Sequence, residues 1–563
     1  MGALYGILGA ADHRELRALG DRLAHRGREA AEWSPGRDLH LGIRGTRRVV
    51  DVQEHGPVAF QGAIDNRGEI ARLLRRHDGD VVGPAQDAGL VFELVDSLGI
   101  EGMARLAGQF AVAIWHGPER RLLLARDRMG GAPLYFTATR DRLAFASEYK
   151  AQLALEGVAA DPDLDQLQVV HASGWVSPGH SCLRGIFSVA PGSALEVRAG
   201  RLSSRRYWSL ASDATAARGF IPLRDALIES LKPQVVGCGR IGVALSGGLG
   251  SVLVADGARA VAEGREIHTI ATGYGPDDPA LAEEARTARA VGSRHHTVIL
   301  DPADVDALLP WMVWHLEEPS GGIDVGYLFA GAREAARHVA VAVTGIGLGE
   351  LMGAAGAGRL AGLALGDLLR RPLSALRAAY HRGGDFPGAR IRGAARPLPL
   401  AGARSDALER LRMQASIERL FTGLGIRLAA PGTDPLFVGT ALSLPGTPGP
   451  AALGGGFTRG DRSPHQIRMS DALDRMAVEL LSPGSVRERG FFEPAYLAAL
   501  LRRSRGQPYG EERARRIWSL LLVEIWAREF LDRRGAPPER PAPPIRLLDT
   551  AGAPRSTATS GAT

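Results

Sequence analysis

The stretch Ala244-Leu245-Ser246-Gly247-Gly248-Leu249-Gly250-Ser251 decides the reading of this chain. An apolar run, Arg240 to Leu245, leads into it, a helix-like segment from Ser251 to Glu263 leads out, and a strand-like run, Ile267 to Ala271, comes next. That is a β-loop-α-β unit, the building block of parallel α/β sheets. A Gly-rich turn between strand and helix exposes successive backbone N–H groups at the positive end of a helix dipole, a place for phosphate or pyrophosphate. No Gly-Lys-Ser/Thr follows, so this is not the Walker spacing.

Outward from that loop the pattern stays α/β. Leu223 to Leu231 and Ala280 to Val291 read as helices and Val339 to Thr344 as an apolar strand, while 360–425 and 466–535 read as mainly helical. Upstream, residues 1–155 alternate short β-like runs (Ala3 to Leu8, Leu39 to Ile43, Val58 to Ile64, Phe110 to Trp115, Arg121 to Ala125, Arg142 to Ala146) with two helical stretches, Arg14 to Leu23 and Asp87 to Leu98. Many strands with few helices predict packed sheets flanked by helices. Residues 156–215 are turn-rich and read as a connector with one hairpin, residues 216–535 as the second domain, and 536–563, with five prolines before a Ser/Thr/Gly/Ala end, as a disordered tail.

Composition narrows the class. A chain of 563 residues exceeds one ordinary core. Apolar and charged shares of 45% and 23% are those of a globular protein. The mean hydropathy is −0.05 and no long uncharged apolar run occurs, so no membrane span is expected. The start lacks the pattern of a secretory signal, and Cys182 and Cys238 alone make no disulfide framework, so a cytoplasmic location is expected. The net charge of +6 is nearly all arginine, spread among acids without an aromatic-interleaved stripe, which argues against nucleic-acid binding. Lysine occurs only at Lys150 and Lys232.

Motifs along residues 1 to 535 resemble those of the glutamine-hydrolysing asparagine synthetase family. Met1-Gly2-Ala3-Leu4-Tyr5-Gly6-Ile7 resembles the amidotransferase start, and Leu23-Ala24-His25-Arg26-Gly27, Asp65-Asn66-Arg67-Gly68-Glu69-Ile70, Gly108 to Trp115, Ala125-Arg126-Asp127-Arg128 and Phe145-Ala146-Ser147-Glu148-Tyr149-Lys150 follow in the family's order. Pro191-Gly192 with Arg206-Tyr207-Trp208 resembles the family's connector. Ser246 to Ser251 resembles the SGGxDS loop of ATP pyrophosphatases, Glu317-Glu318-Pro319 the DEP segment, Thr344 to Gly353 the SGxGADExFGG segment, and Ile517 to Leu531 the terminal helix. The resemblance implies an N-terminal Ntn-type αββα sandwich and a C-terminal doubly wound α/β ATP-pyrophosphatase domain with helical additions, using ATP and Mg²⁺. It further implies nucleotide contacts at Ser246, Gly247, Gly248, Leu249, Ser251, Thr344 and Gly345, and a homodimer.

The chain departs from that pattern at the chemistry. Gly2 stands where the family has its nucleophilic cysteine, so glutamine hydrolysis is expected to be absent. Lasso-peptide cyclases and β-lactam synthetases are branches with the same loss. Gly250 and Gly349 stand where the family has Mg²⁺-binding aspartates, and glycine offers a hard cation no side-chain oxygen. Glu350 remains as the candidate catalytic acid. Asp324, Glu317 and Glu318 read as structural. No lysine follows Lys232 to take the family's catalytic-lysine role, for which Arg462 and Arg468 are candidates.

Three functions stay open. One is an ATP-dependent, glutamine-independent ligase that adenylates a small-molecule or peptide carboxylate for attack by an amine. Another is a catalytically inactive binding or partner subunit, working with an active paralogue or other biosynthetic proteins. The third is asparagine synthetase. His295-His296 reads as structural, because adjacent strand residues point to opposite faces. Arg26 is expected to hold the sheet together or bind a carboxylate, Arg67 and Glu69 to make structural pairs, and Trp518 and Trp526 to lie in core.

Overall fold

The computed structural model describes residues 2–34, 38–45, 50–52, 56–75, 86–139, 141–209, 223–321, 324–346, 348, 417–431, 434, 437, 463–502, 509–548 and 554–557. The segment 360–416, expected to be helical, together with Gly349, Glu350 and Arg462, lies outside the described residues, as does the side chain of Arg468.

Two six-stranded antiparallel sheets form the N-terminal domain. The strands are β1 (Ala3–Gly9), β2 (Ala30–Trp33), β3 (Leu39–Arg44), β4 (Val50–Val52), β5 (Gly56–Ile64), β6 (Gly108–His116), β7 (Arg121–Arg126), β8 (Tyr135–Ala138), β9 (Arg142–Ala146), β10 (Phe187–Ser188), β11 (Ser193–Arg198) and β12 (Arg201–Arg206). One sheet runs β10-β8-β9-β1-β3-β2 and the other β12-β11-β7-β6-β5-β4. Period-two alternation sorts the side chains of each central strand between two apolar layers. In β1, Leu4 faces the other sheet, whereas Ala3, Tyr5 and Ile7 pack on Leu16, Leu19 and Leu23 of helix α1 (His13–Arg22) and the turn after it. In β6, Ala111, Ala113 and Trp115 face the other sheet, whereas Phe110, Val112 and Ile114 join Leu90, Val91 and Leu94 of helix α2 (Asp87–Leu98). Helix, sheet, sheet, helix is the αββα order that the sequence implies.

The hairpin expected within 156–215 is β11–β12, and it is part of the sandwich: β11 pairs with β7, and β10 pairs with β8. The first domain therefore continues past residue 155 through most of what reads as a connector.

The second domain is built on a seven-stranded sheet, β17-β16-β13-β14-β15-β18-β19. Its strands are β13 (Arg240–Leu245), β14 (Glu266–Gly273), β15 (Arg294–Ile299), β16 (Val341–Val343), β17 (Arg427–Ala429), β18 (Ile545–Leu548) and β19 (Pro554–Thr557). The first five are parallel neighbours, and β18 joins β15 antiparallel with Thr297 opposite Leu548. The expectation of a disordered tail from 536 is thus corrected: residues 545–548 and 554–557 are an edge hairpin. Pairing to β15 outweighs the proline-rich composition, because Ile545 reaches the core.

Helices α3 (Leu223–Gln234), α4 (Leu249–Val261) and α5 (Pro279–Val291) contribute to one apolar core, and α6 (Val305–Leu316), α7 (Asp324–Ala335), α8 (Glu418–Gly423) and α9 (Glu511–Trp526) to another. Both cores run on into the sandwich domain, the first reaching Phe60 and Phe110 and the second Tyr135 and Tyr149. Trp518 and Trp526 are buried in the second core. No described helix is long and apolar enough to cross a membrane.

Candidate active site and domain interface

Strand order places the candidate site. Going along the chain, β13, β14 and β15 step one way across the sheet, and β16 then pairs on the other side of β13. Such a switch opens a crevice at the carboxyl ends of β13 and β16, where doubly wound sheets bind ligands. The loop Ser246–Gly248 leaves β13 there, and Thr344–Ile346 leaves β16. Gly247 takes φ +68°, a turn that suits glycine, and Gly248 caps helix α4.

A cavity of about 110 Å³ occupies the crevice. Ser246, Thr344 and Gly345 line it together with Ile270, Tyr327 and Phe421, and among the described residues none that lines it is charged. Gly247 and Gly248 are not among the described lining residues, and Leu249 opens α4. The Ser251 hydroxyl is buried and donates to Gly248 O at 2.8 Å, so this donor closes the turn from within. Glu284, also buried, places an oxygen 3.6 Å from where a Gly247 Cβ would stand, which puts a carboxyl beside the proposed anion loop. Glu350 lies outside the described residues.

The space at Gly250 is filled. A Cβ there would lie 2.9 Å from Gly345 O and 3.3 Å from Leu348 Cβ. Reciprocally, a Cβ on Gly345 would lie 2.5 Å from the carbonyl carbon of Gly250. The two loops meet backbone to backbone where a carboxylate would have to project. The described residues therefore do not fit Mg²⁺ at this position: the donor is missing and so is the room for one.

The amidotransferase end shows a similar closure. Gly2 is buried beside β3, and a Cβ on it would come 2.3 Å from Arg44 O. His25 and Arg26 turn instead toward Glu148, which is fully buried, forms ion pairs with Arg26 Nε and with Lys150 Nζ at 2.7 Å, and lies 3.0 Å from His25 Nε2. Burial alone would raise the Glu148 carboxyl, but Arg26, His25 and Lys150 hold it well below the usual carboxylate range. Burial pushes His25 down to about 4 in spite of Glu148.

This cluster crosses to the second domain. Arg26 Nη1 donates to Thr422 Oγ1, and Lys150 Nζ donates to Trp314 O at 2.8 Å. Glu317 accepts from Tyr149 N at 3.0 Å and Lys150 N at 2.7 Å, and burial lifts its carboxyl to about 7. Glu318 accepts from Arg419 Nη2 at 3.0 Å and from Tyr135 OH at 2.9 Å. Glu317 and Glu318 are thus bridging residues between the domains. Arg67 pairs with Asp87 at 2.6 Å, and Glu69 accepts from Asn66 Nδ2 at 3.0 Å. The hub role of Glu148 was not read from sequence. The available signal was Lys150, one of two lysines in an arginine-rich chain, two positions away.

His295 and His296 separate as their alternation requires. His295 Nδ1 meets Thr269 Oγ1 at 2.9 Å on one face, while the His296 ring stacks on His268 and His338 on the other.

Two family models match in tandem: the glutamine amidotransferase domain over residues 1–208 and asparagine synthase over residues 222–423. The fold and the paired matches define a glutamine amidotransferase domain followed by an ATP-pyrophosphatase domain. That pair occurs here in that order, and proteins named as asparagine synthetases are among those the chain is similar to. A Mycobacterium tuberculosis protein named for glutamine-hydrolysing asparagine synthetase is 30% identical over 312 residues, covering 53% of this chain and 47% of its own. Asparagine synthetase 1 (glutamine-hydrolysing) of Bacillus subtilis is 27% identical over 367 residues, covering 61% and 56%. Amidase chyE of Penicillium rubens is 27% identical over 289 residues, covering 47% and 42%. The chain thus spans about half the length of these relatives. A solved glutamine phosphoribosylpyrophosphate amidotransferase of B. subtilis matches at 14% identity and a TM-score of 0.26, covering 52% of this chain and 80% of its own.

Proposed function

We propose that this chain keeps the binding architecture of an ATP-dependent amide-forming ligase without its metal-dependent adenylation or its glutaminase, and serves as a binding subunit for a partner protein or a peptide carboxylate. The observation that carries this reading is the contact between Gly250 and Gly345. A lost aspartate alone leaves a gap that water and a relocated ligand can fill; here neighbouring backbone occupies the gap. The cavity beside it, uncharged among the described residues that line it, suits a planar, weakly polar group such as a nucleobase. On the amidotransferase side, Gly2 supplies no nucleophile, and Arg26 is committed to Glu148.

Calorimetric titration of the purified chain with ATP, with and without Mg²⁺, tests this. The expected result is no Mg²⁺-dependent gain in affinity and no pyrophosphate release. Micromolar binding that requires Mg²⁺ overturns it.

A second reading has its own support. Ser246, Thr344 and Gly345 still share one cavity at the switch point, and relatives named as amidases are among the matches. On that reading the chain joins an amine to an adenylated carboxylate within one substrate, as in macrocyclisation, with metal ligands drawn from residues such as Glu350. Substrate-dependent pyrophosphate release would decide for it.

A further inference from the structure

We propose that His268, His296 and His338 form a binding site for one divalent transition-metal ion, with Zn²⁺ the best match to the donors, at the edge of the parallel sheet opposite the Ser246 loop. One ligating atom from each of the three lies within 4.8 Å of the others. His268 and His296 stand near the starts of adjacent strands β14 and β15, and His338 lies in the turn between α7 and β16. An ion there would tie that turn to the strand pair.

The hydrogen bonds give the donors the right form. His268 Nε2 lies 3.1 Å from Glu266 Oε2, which leaves Nδ1 bare when Nε2 carries the proton. That Nδ1 faces His296 Nε2 at 3.0 Å. Two ring nitrogens at that separation share one proton, and a metal ion can replace it, releasing the proton to solvent. Glu266 then acts as the outer carboxylate that fixes a ligating imidazole.

A second observation points the same way. Glu334, on α7, is 1% exposed, and its Oε1 lies 2.6 Å from His338 Nε2 and 3.8 Å from His296 Nδ1. Its Oε2 accepts no hydrogen bond, and Arg337 Nε stands off at 3.7 Å. A buried carboxylate so poorly compensated favours a cation beside it. Three imidazoles, with water completing the coordination, are a donor set for Zn²⁺, Co²⁺ or Ni²⁺, whereas Mg²⁺ and Ca²⁺ prefer oxygen. Arg240 and Arg294 are largely exposed and already paired with Glu266. The side chains of His296 and His338 are 19% and 27% exposed, which gives an ion a way in. The rings stand within 20° of parallel, so binding turns them about Cβ–Cγ to bring their edges together.

The test uses the full chain without a histidine tag, stripped with EDTA and titrated with Zn²⁺ by calorimetry. Thermal unfolding and Co²⁺ absorption serve as further readouts. One Zn²⁺ per chain is expected, together with a higher Tm and the visible bands of four-coordinate Co²⁺. His338→Ala and His296→Asn should each weaken Zn²⁺ at least tenfold, while His295→Ala, on the other face, should not. Absence of Zn²⁺ binding by the parent chain, or equal binding by both variants, overturns the proposal. Should His296→Asn fail to fold, His338→Ala decides alone, because His338 lies outside any strand and is partly exposed.

Discussion

Gly345 packs backbone to backbone against Gly250, with a Cβ on Gly345 predicted to fall 2.5 Å from the Gly250 carbonyl carbon and 2.8 Å from Ser251 N. The pair closes the crevice between β13 and β16, and it makes the two glycines unequal. At Gly250 the nearest obstacle to a Cβ is an oxygen at 2.9 Å. Gly345→Ala should therefore destabilise more than Gly250→Ala, by about 1–3 kcal/mol as for overpacking in a core. Gly250→Asp should restore no Mg²⁺-dependent ATP binding, although an acid in a first helical turn is otherwise favourable. Urea unfolding and calorimetry check both statements. A Gly250→Asp variant that gains Mg²⁺-dependent binding would show that the loops part readily.

Gly2→Cys should not create a glutaminase. The new Cβ would meet Arg44 O at 2.3 Å, and Arg44 is itself fixed by Gly20 O at 2.8 Å and Asp21 at 2.7 Å. Glutamate release from glutamine should stay at the blank rate.

Glu148→Ala should be among the most damaging single changes in the molecule. It leaves Arg26 and Lys150 buried with their shared counter-ion gone, a loss of roughly 3–5 kcal/mol for a broken buried pair. Arg120→Ala, which breaks an exposed pair with Asp38, should leave the urea midpoint almost unmoved. Comparable effects of the two in urea melts would sink the hub argument.

The pH dependence has a sign that can be worked out. Burial raises Glu418 to about 8, above its ordinary value near 4.5. A carboxyl raised on folding contributes stability that is fully present below its unfolded value and is lost as pH climbs through about 8. Glu148, held low, behaves oppositely: its contribution is present above about 4.5 and is lost as pH falls. Glu418→Gln should therefore flatten the decline in stability between about pH 5 and pH 8, leaving the acid limb in place. An unchanged profile in the variant would remove Glu418 from the account.

Local patterns were legible and distant meetings were not. Short β-like runs such as Ala3 to Leu8 and Phe110 to Trp115 implied packed sheets flanked by helices, while the αββα order followed from the family resemblance. The β-loop-α-β unit at Ser246 was readable because strand, turn and helix signals lie within some twenty residues. The same alternation separated His295 from His296 correctly. It was silent on His268 and His338, which reach His296 from other elements. Nor does any sequence rule place backbone at Gly345 against Gly250, 95 residues apart. The C-terminal hairpin was missed because its few apolar residues pair with a strand whose edge exists only in the folded sheet.

Glu148 has a consequence for how this protein can change over generations. Its carboxylate, in the first domain, neutralises charges in a core shared with the second, and the second domain's Glu317 caps the helix start at Tyr149 and Lys150 in return. A domain whose Lys150 ammonium lies 3.9 Å from its neighbour's Glu317, and whose backbone N–H groups hold that carboxylate, cannot be shed when its own reaction falls out of use. It is inherited as a buttress, constrained at Arg26, Glu148 and Lys150.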